Sequence, residues 1–330
     1  MRSVDFNMRL DRQLVKPKLE IIIPFFNEVA ALPPLWERLQ KVFSPVNLEK
    51  HNIGEVSYLF IDDGSSDRGP DFVVSLIAKK NPVKLIRFSR NFGHQSGVIA
   101  GLDHFTGDLV SIIDCDLQDP PEVILEMLSK WREGFDVVHA QRTKRKETLF
   151  KRSSYFLFYR LFKFLSEVEI AVDSGDFCLM DKTVVKAIKS LGEVLKFPRG
   201  LRAWVGFRQT THQYDRPERM YGSTKYSLRK LYKLATDGIA SMSIRPLRLS
   251  QFLLASSALL GILFFSISLY KFLTYENKET LALWFHMAYC LITVSATMIL
   301  ASLYVLSAYV GRMYIEIKAR PPYLVMEIVE

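Results

Sequence analysis

Through the first two thirds of the chain, short apolar runs alternate with longer amphipathic stretches. Lys18–Pro24 (KLEIIIP), Val56–Ile61 (VSYLFI), Val83–Phe88 (VKLIRF) and Asp108–Ile113 (DLVSII) are rich in β-branched residues, and each runs into a polar or turn-forming cluster. That is the signature of buried strands. Helical stretches fall between them, as at Phe72–Lys80, and another is predicted from Pro120-Pro121, because proline suits a first helical turn. Strand–helix alternation predicts an α/β fold with a mostly parallel sheet. In such sheets ligands sit beyond the carboxyl ends of the strands.

The pattern changes near the C-terminus. Gln251–Leu273 (QFLLASSALLGILFFSISLYKFL) and Trp284–Val310 (WFHMAYCLITVSATMILASLYVLSAYV) are long and nearly uncharged. Each exceeds the roughly 20 residues a helix needs to cross about 30 Å of hydrocarbon. The short connector Thr274–Leu283 makes them a hairpin, with both flanks on one side. Arg245 and Arg248 precede the first run, and Arg312, Lys318 and Arg320 follow the second. The positive-inside rule then places both flanks, and with them both termini, in the cytosol, on a plasma or inner membrane. The polar segment Met1–Lys18 has no apolar core of a signal peptide.

Composition sharpens this. Hydrophobic residues make up 49% of the 330, with 23 phenylalanines, and the formal net charge is +9. The surplus favours anionic partners: nucleic acid, anionic lipid or phosphorylated substrates. Nucleic acid would explain the charge but not the apolar runs. The three cysteines, Cys115, Cys178 and Cys290, are far apart and form no C-x-x-C, so neither a disulfide framework nor a zinc site is expected. Neither G-x-G-x-x-G nor the P-loop signature occurs.

The candidate chemistry falls at the strand ends. The first strand runs into Pro24-Phe25-Phe26-Asn27-Glu28, the second into Asp62-Asp63-Gly64-Ser65-Ser66-Asp67, and the fourth into Asp114-Cys115-Asp116-Leu117-Gln118-Asp119. A D-x-D at a strand end brings two carboxylates together, where they repel and raise each other's pKa. A divalent cation relieves this, and oxygen ligands suit magnesium or manganese. Such an ion can bridge a diphosphate and stabilise its departure. By itself the motif is weak, since D-x-D occurs often by chance and reads more often as a solvated strand end. Asp62 and Asp63 could accept from a ribose hydroxyl or a base N–H, or close an Asx-turn or helix cap.

The ordered set carries a resemblance. Pro24-Phe25-Phe26-Asn27-Glu28, Asp62-Asp63-Gly64-Ser65, Arg90-Asn91-Phe92-Gly93-His94 and Asp114 to Glu122 are joined by Asp173 to Met180 and Glu218 to Tyr226. Together they resemble the family 2 inverting glycosyltransferases of the nucleotide-diphospho-sugar (GT-A) fold. Within that family they are similar to the polyprenyl-phosphate (bactoprenol) glucosyltransferases and the dolichyl-phosphate mannose synthases. The resemblance implies that Pro24, Phe25, Glu28, Asp62 and Asp63 line the nucleotide site. It implies that Asp114, Asp116 and Gln118 hold the metal and the donor diphosphate. Arg219 would meet donor phosphate with Lys225 nearby, and Arg142 and Arg152 would serve the lipid phosphate. Asp176 would contact sugar or acceptor, or cap the next helix. His94 would approach the donor or make a structural hydrogen bond. Many relatives carry Ala in place of Cys115 and Arg in place of Cys178.

A phosphate monoester is already anionic at neutral pH, so as a nucleophile it needs placement and charge compensation more than a base. Cations are plentiful at Arg142, Lys144, Arg145, Lys146, Lys151 and Arg152, ahead of the Phe-rich Phe150–Leu165. That stretch reads as an interfacial helix or as a core helix behind a basic loop. Lys225, Arg229 and Lys233 share one helical face, opposite Leu228, Leu231, Ala235 and Met242. A basic amphipathic helix leading into a span suits an anionic leaflet and would hold the catalytic rim near lipid head groups. Pro246 ends it.

The expected organisation is a GT-A catalytic domain over 1–225, an interfacial helix and linker over 226–250, two spans over 251–310 and a cytosolic tail over 311–330. The expected reaction is transfer of glucose from UDP-glucose to undecaprenyl or another polyprenyl phosphate, with inversion and a divalent cation. GDP-mannose is the rival donor, and self-association into a homo-oligomer is compatible with the sequence. A processive polysaccharide synthase is disfavoured, because Gln213-Tyr214-Asp215-Arg216-Pro217 lacks the tryptophan of Q-x-x-R-W. A non-catalytic binding protein is disfavoured by the intact carboxylates.

Overall fold

A computed structural model of the chain describes residues 12–143, 174–216, 243–274 and 279–330. The apolar runs form the strands they predict: β1 (Lys18–Phe25), β2 (Glu55–Asp62), β3 (Val83–Phe88) and β4 (Leu109–Ile112). Helices α1 (Leu32–Val42), α2 (Pro45–Lys50), α3 (Gly69–Ala78), α4 (His94–His104) and α5 (Glu122–Arg132) lie between and after them. Pro121 is the N-cap of α5. There follow β5 (Val137–Arg142), β6 (Ser174–Asp181), α6 (Lys182–Lys189), α7 (Pro198–Trp204) and β7 (Gln209–Tyr214). Two long helices, α8 (Arg245–Thr274) and α9 (Glu279–Lys318), precede the last strand, β8 (Val325–Val329).

The eight strands make one sheet in the order β7-β5-β6-β4-β1-β2-β3-β8. β1 pairs parallel with β2 and β4, β2 with β3, and β5 with β7. β6 runs antiparallel to β4 and β5, and β8 to β3, so the sheet is mixed, with the other six strands running one way as the sequence predicts. The central strands are buried on both faces, which is why their runs are continuous rather than alternating. Ile21 and Ile23 join Leu35, Leu39, Phe60 and Leu85 in one cluster. On the other face, a Cβ on Gly101 of α4 would lie 2.4 Å from Ile22 Cγ2. A residue without a side chain lets α4 approach β1 that closely.

The described residues form two compact units. The first holds 12–143, 174–216 and Arg320–Glu330; the second holds 243–274 and 279–319. Within the stretch expected as the tail, 311–330, α9 continues to Lys318 and Val325–Val329 completes an edge of the sheet. Likewise α8 begins at Arg245, inside the expected linker, with Pro246 in its first turn. In the second unit, α8 and α9 are long and apolar enough to cross a membrane, and their apolar windows are 6% buried within the structure. Ser302 Oγ donates to the Ser250 carbonyl (3.1 Å), and Tyr309 OH to the Ser243 carbonyl (2.6 Å), across the seam between them. The expected interfacial stretches, Phe150–Leu165 and Tyr226–Ala235, lie outside the described residues.

Candidate active site

Strand register gathers the polar residues at one end of the sheet. Phe25 lies opposite Asp62, and Asp62 opposite Arg87. Ile112 of β4 faces Cys178 of the antiparallel β6. Two residues onward along β4, and two back along β6, bring Asp114 and Asp176 to that same end. Arg142 pairs with Tyr214 at the matching ends of β5 and β7.

On the β1–β2 side, the loops are latched to each other. Asn27, at φ 53°, accepts from the Ser66 amide at 2.8 Å, and its own amide donates to Ser65 Oγ at 3.0 Å. The Val29 amide donates to Asp67 Oδ2 at 2.9 Å. Asp62 accepts from the Ser65 amide at 2.7 Å and faces Arg87 Nε at 3.4 Å. Asp63 accepts from Asn91 Nδ2 (2.9 Å), the Phe92 amide (2.6 Å) and the Gly93 amide (2.9 Å). Burial raises its pKa, and the two amides oppose that. Asp63 therefore shapes the Arg90–Gly93 loop. Gly64, at φ 72°, lets this loop come close, since a Cβ there would lie 2.5 Å from the Arg90 carbonyl carbon.

Beyond β4, Asp116 is buried and its Oδ1 accepts from the Gln118 amide at 3.1 Å. Between them Leu117 is held at φ 62°, a conformation that costs a non-glycine residue on the order of 1–3 kcal/mol and concentrates at functional sites. Asp114 is half-buried and lies 3.6 Å from His94 Nε2. The same nitrogen is 3.3 Å from Asp176 Oδ2. Arg199 of α7 clamps Asp176 with two hydrogen bonds, Nε to Oδ1 (2.9 Å) and Nη2 to Oδ2 (2.8 Å). Burial would lower the pKa of His94, but its hydrogen bond with Asp176 and the charges of Asp114 and Asp176 raise it to about 9. Burial would raise the Asp176 carboxyl, but Arg199 and His94 hold it well below the usual range. Asp176 caps no helix; Asp181 does, accepting from the Thr183 amide at 2.9 Å.

Asp119, which the sequence did not single out, is a buried acceptor for Tyr214 OH at 2.8 Å and lies 3.8 Å from Arg216 Nε. Burial and the nearby Asp114 charge push its pKa to about 6, against Arg216, Tyr214 and Arg142. Arg142 thus lies beside the loop that carries Asp114 and Asp116. Fully buried Arg202 donates to the carbonyls of Gly175 (2.8 Å) and Asp176 (3.0 Å), and its charge opposes the rise that burial gives the pKa of the Cys178 thiol. A buried guanidinium is therefore present beside Cys178. Pro24, Phe25 and Glu28 stand at the end of β1 and in the loop beyond it. Arg152, Arg219 and Lys225 lie outside the described residues.

Residues 20–189 match the family described as Glycosyl transferase family 2. The chain belongs to this family. It is a glycosyltransferase with a GT-A-like mixed α/β fold. It is 41% identical over 308 residues to "Uncharacterized glycosyltransferase YkcC" of Bacillus subtilis, covering 93% of each chain. It is 35% identical over 314 residues to the "Bactoprenol glucosyl transferase" of Shigella phage SfX, covering 93% of this chain and 98% of that one. Among solved structures, a mannosyltransferase of Pyrobaculum calidifontis in complex with GDP-Man and Mn2+ is similar at TM-score 0.41 and 14% identity, over 94% of this chain and 83% of that one.

The D-x-D supplies two carboxylates, Asp114 and Asp116, as hard oxygen donors. Among the described residues no three His, Cys, Asp or Glu side chains cluster as a metal site. The set fits magnesium or manganese all the same, because such ions are commonly held by one or two carboxylates together with substrate phosphates. The residues hardest to read from sequence were Arg199, Arg202, Asp119 and Tyr214. The only local signal for Arg199 was a Pro-Arg-Gly opening α7.

Proposed function

We propose that this enzyme transfers glucose from UDP-glucose to the phosphate of undecaprenyl or a related polyprenyl phosphate, inverting the anomeric carbon, at the cytosolic membrane face. The observation that carries this reading is likeness along the whole length. The bactoprenol relatives match across more than nine tenths of this chain, so the match takes in the two apolar helices as well as the sheet. The β3–β8 ladder supports the hairpin topology, because a strand before the first candidate span and a strand after the second share one sheet. Arg245 and Arg248 before the spans, with Arg312, Lys318 and Arg320 after them, favour the cytosol for that side.

Pro24, Phe25, Glu28, Asp62 and Asp63 form the nucleotide side, with Asp63 acting through the loop it holds. Asp114, Asp116 and Gln118 would hold a magnesium or manganese ion, which when bound supplies Lewis-acid charge to the departing diphosphate. Arg219 and Lys225 compensate donor phosphate; Arg142 and Arg152 compensate acceptor phosphate. The acceptor oxygen attacks the anomeric carbon as the bond to UDP breaks, so configuration inverts. No proton need be removed from a phosphate that is already anionic. A site in which Asp176 is kept ionised by Arg199 and His94, and so is a poor proton acceptor, suits that nucleophile.

The test is a donor panel, with full-length protein, undecaprenyl phosphate and Mg2+ or Mn2+, read by mass spectrometry of the lipid. The expected product is one added hexose from UDP-glucose alone. Transfer from GDP-mannose instead would overturn the donor, and a growing polymer would overturn the single-sugar reaction.

A further inference from the structure

Four side chains from four separate elements form a line of contacts at the carboxyl end of the central strands. Asp114 follows β4, His94 opens α4, Asp176 lies in β6 and Arg199 lies in α7. The spacings along it are 3.6 Å, 3.3 Å and 2.8 Å. Its members differ in access. The Asp176 side chain is 4% exposed, whereas His94 is 33% exposed and Asp114 35%. Asp176 is thus poorly placed to touch a ligand, although it is the residue that orients His94.

We propose that His94 is a sugar-selecting residue that hydrogen-bonds the donor's hexose, and that Arg199 is a positioning residue that holds it there through Asp176. This rests on the proposed function and deepens it. The chemistry of the line favours a neutral polyhydroxyl ligand over a phosphate. Two carboxylates flank the imidazole, and an anion brought to His94 would meet both. Sugar hydroxyls donate to carboxylate oxygens and accept from ring N–H groups, so an accessible imidazole beside the accessible Asp114 carboxylate matches them. The sugar is also bonded directly to the diphosphate that Asp114 and Asp116 are assigned to hold.

Arg199 contributes planarity. A two-point guanidinium–carboxylate pair fixes the rotation of Asp176, which a single contact would leave free. Arg202 fixes the backbone beneath it through the carbonyls of Gly175 and Asp176. The orientation of His94 is therefore set through the buried Asp176, which Arg199 and Arg202 hold in place.

The test separates the sugar from the nucleotide. Full-length protein in detergent is titrated calorimetrically with UDP and with UDP-glucose, each with Mn2+. His94→Gln and Arg199→Gln should each weaken UDP-glucose by about tenfold, the worth of one good hydrogen bond. UDP should stay within about twofold of wild type. Arg199→Lys keeps the charge without the two-point geometry and should fall between; it also carries the test if Arg199→Gln melts early. Equal weakening of UDP and UDP-glucose would overturn the inference, placing the line at the diphosphate or in the fold. Undiminished UDP-glucose binding by His94→Gln would overturn it as well. If wild type instead selects another nucleotide sugar, the UDP-glucose reading fails alone, and the same split is measured with that donor and its own nucleoside diphosphate.

Discussion

On the β2 side of the rim, Asp63 gives its oxygens to Asn91, Phe92 and Gly93, and Asp62 gives one to the Ser65 amide. On the β4 and β6 side, Asp114 and Asp176 face His94 and Arg199 instead. The first pair is satisfied largely by main-chain N–H groups, the second by charged side chains. A main-chain donor cannot leave without refolding its loop. A side chain that is one-third exposed, as His94 is, can meet a ligand while keeping its partners. The same residue type at the same end of one sheet thus builds a loop scaffold on one side and orients accessible side chains on the other.

The largest effect expected from this contrast is on the reactive side. Asp116→Asn should lower transfer by about a thousandfold or more, since transition-state charge stabilisation of several kcal/mol depends on it. The melting temperature should hardly move. Chelation of divalent ions should silence the wild type comparably, and Mg2+ or Mn2+ should restore it. Full activity in Asp116→Asn, read by labelled sugar on extracted lipid, would remove the metal role.

The converse holds on the scaffold side. Asp63→Ala strands the Phe92 and Gly93 amides and the Asn91 side-chain amide, and should cost roughly 3–4 kcal/mol of stability. Gly64→Ala should act in the same direction, because a methyl group would enter the space of the Arg90 backbone. Denaturant titration of the purified protein measures both. If Asp63→Ala melts like wild type yet has lost donor binding, Asp63 is a ligand contact and the contrast drawn here fails.

How far the sequence disclosed these two sides follows from what each depends on. β1 to β4 were legible because buried parallel strands demand continuous β-branched runs: Lys18–Pro24 became Lys18–Phe25, and Val83–Phe88 was matched residue for residue. The strand-end carboxylates were legible because the fold class says where to look. β8 was not, because its Val-Met-Glu-Ile-Val run is only five residues long, lies at an edge of the sheet, and is separated from its partner β3 by most of the chain. Nor was the division of labour. Asp63 and Asp114 are alike in sequence, and only three-dimensional partners distinguish them. Arg199 meets Asp176 across 23 residues of chain, a pairing that no local period encodes.

Acid should reveal the contrast again, more weakly and with opposite signs. On the scaffold side, the folded pKa of Asp63 is raised. The folded state there binds its proton more readily than the unfolded chain, so acidification relieves a cost. On the other side His139 of β5 is buried against Gln209 Oε1 at 2.8 Å. Burial and then Arg202 lower its pKa from 6.5 to about 4, with the Gln209 hydrogen bond opposing them. Between those values the unfolded chain holds a proton that the folded one does not, so stability falls as pH drops through the window. A full shift of this size corresponds to a loss on the order of 3 kcal/mol by pH 4. His139→Gln removes the titration while leaving a side chain able to meet Gln209. Its stability between pH 7 and 4 should decline less steeply than that of wild type, by up to about one proton's worth of slope, near 1.4 kcal/mol per pH unit. Superimposable profiles would mean that His139 takes up its proton in the folded protein without penalty, and that this half of the sheet is wetter than its packing implies.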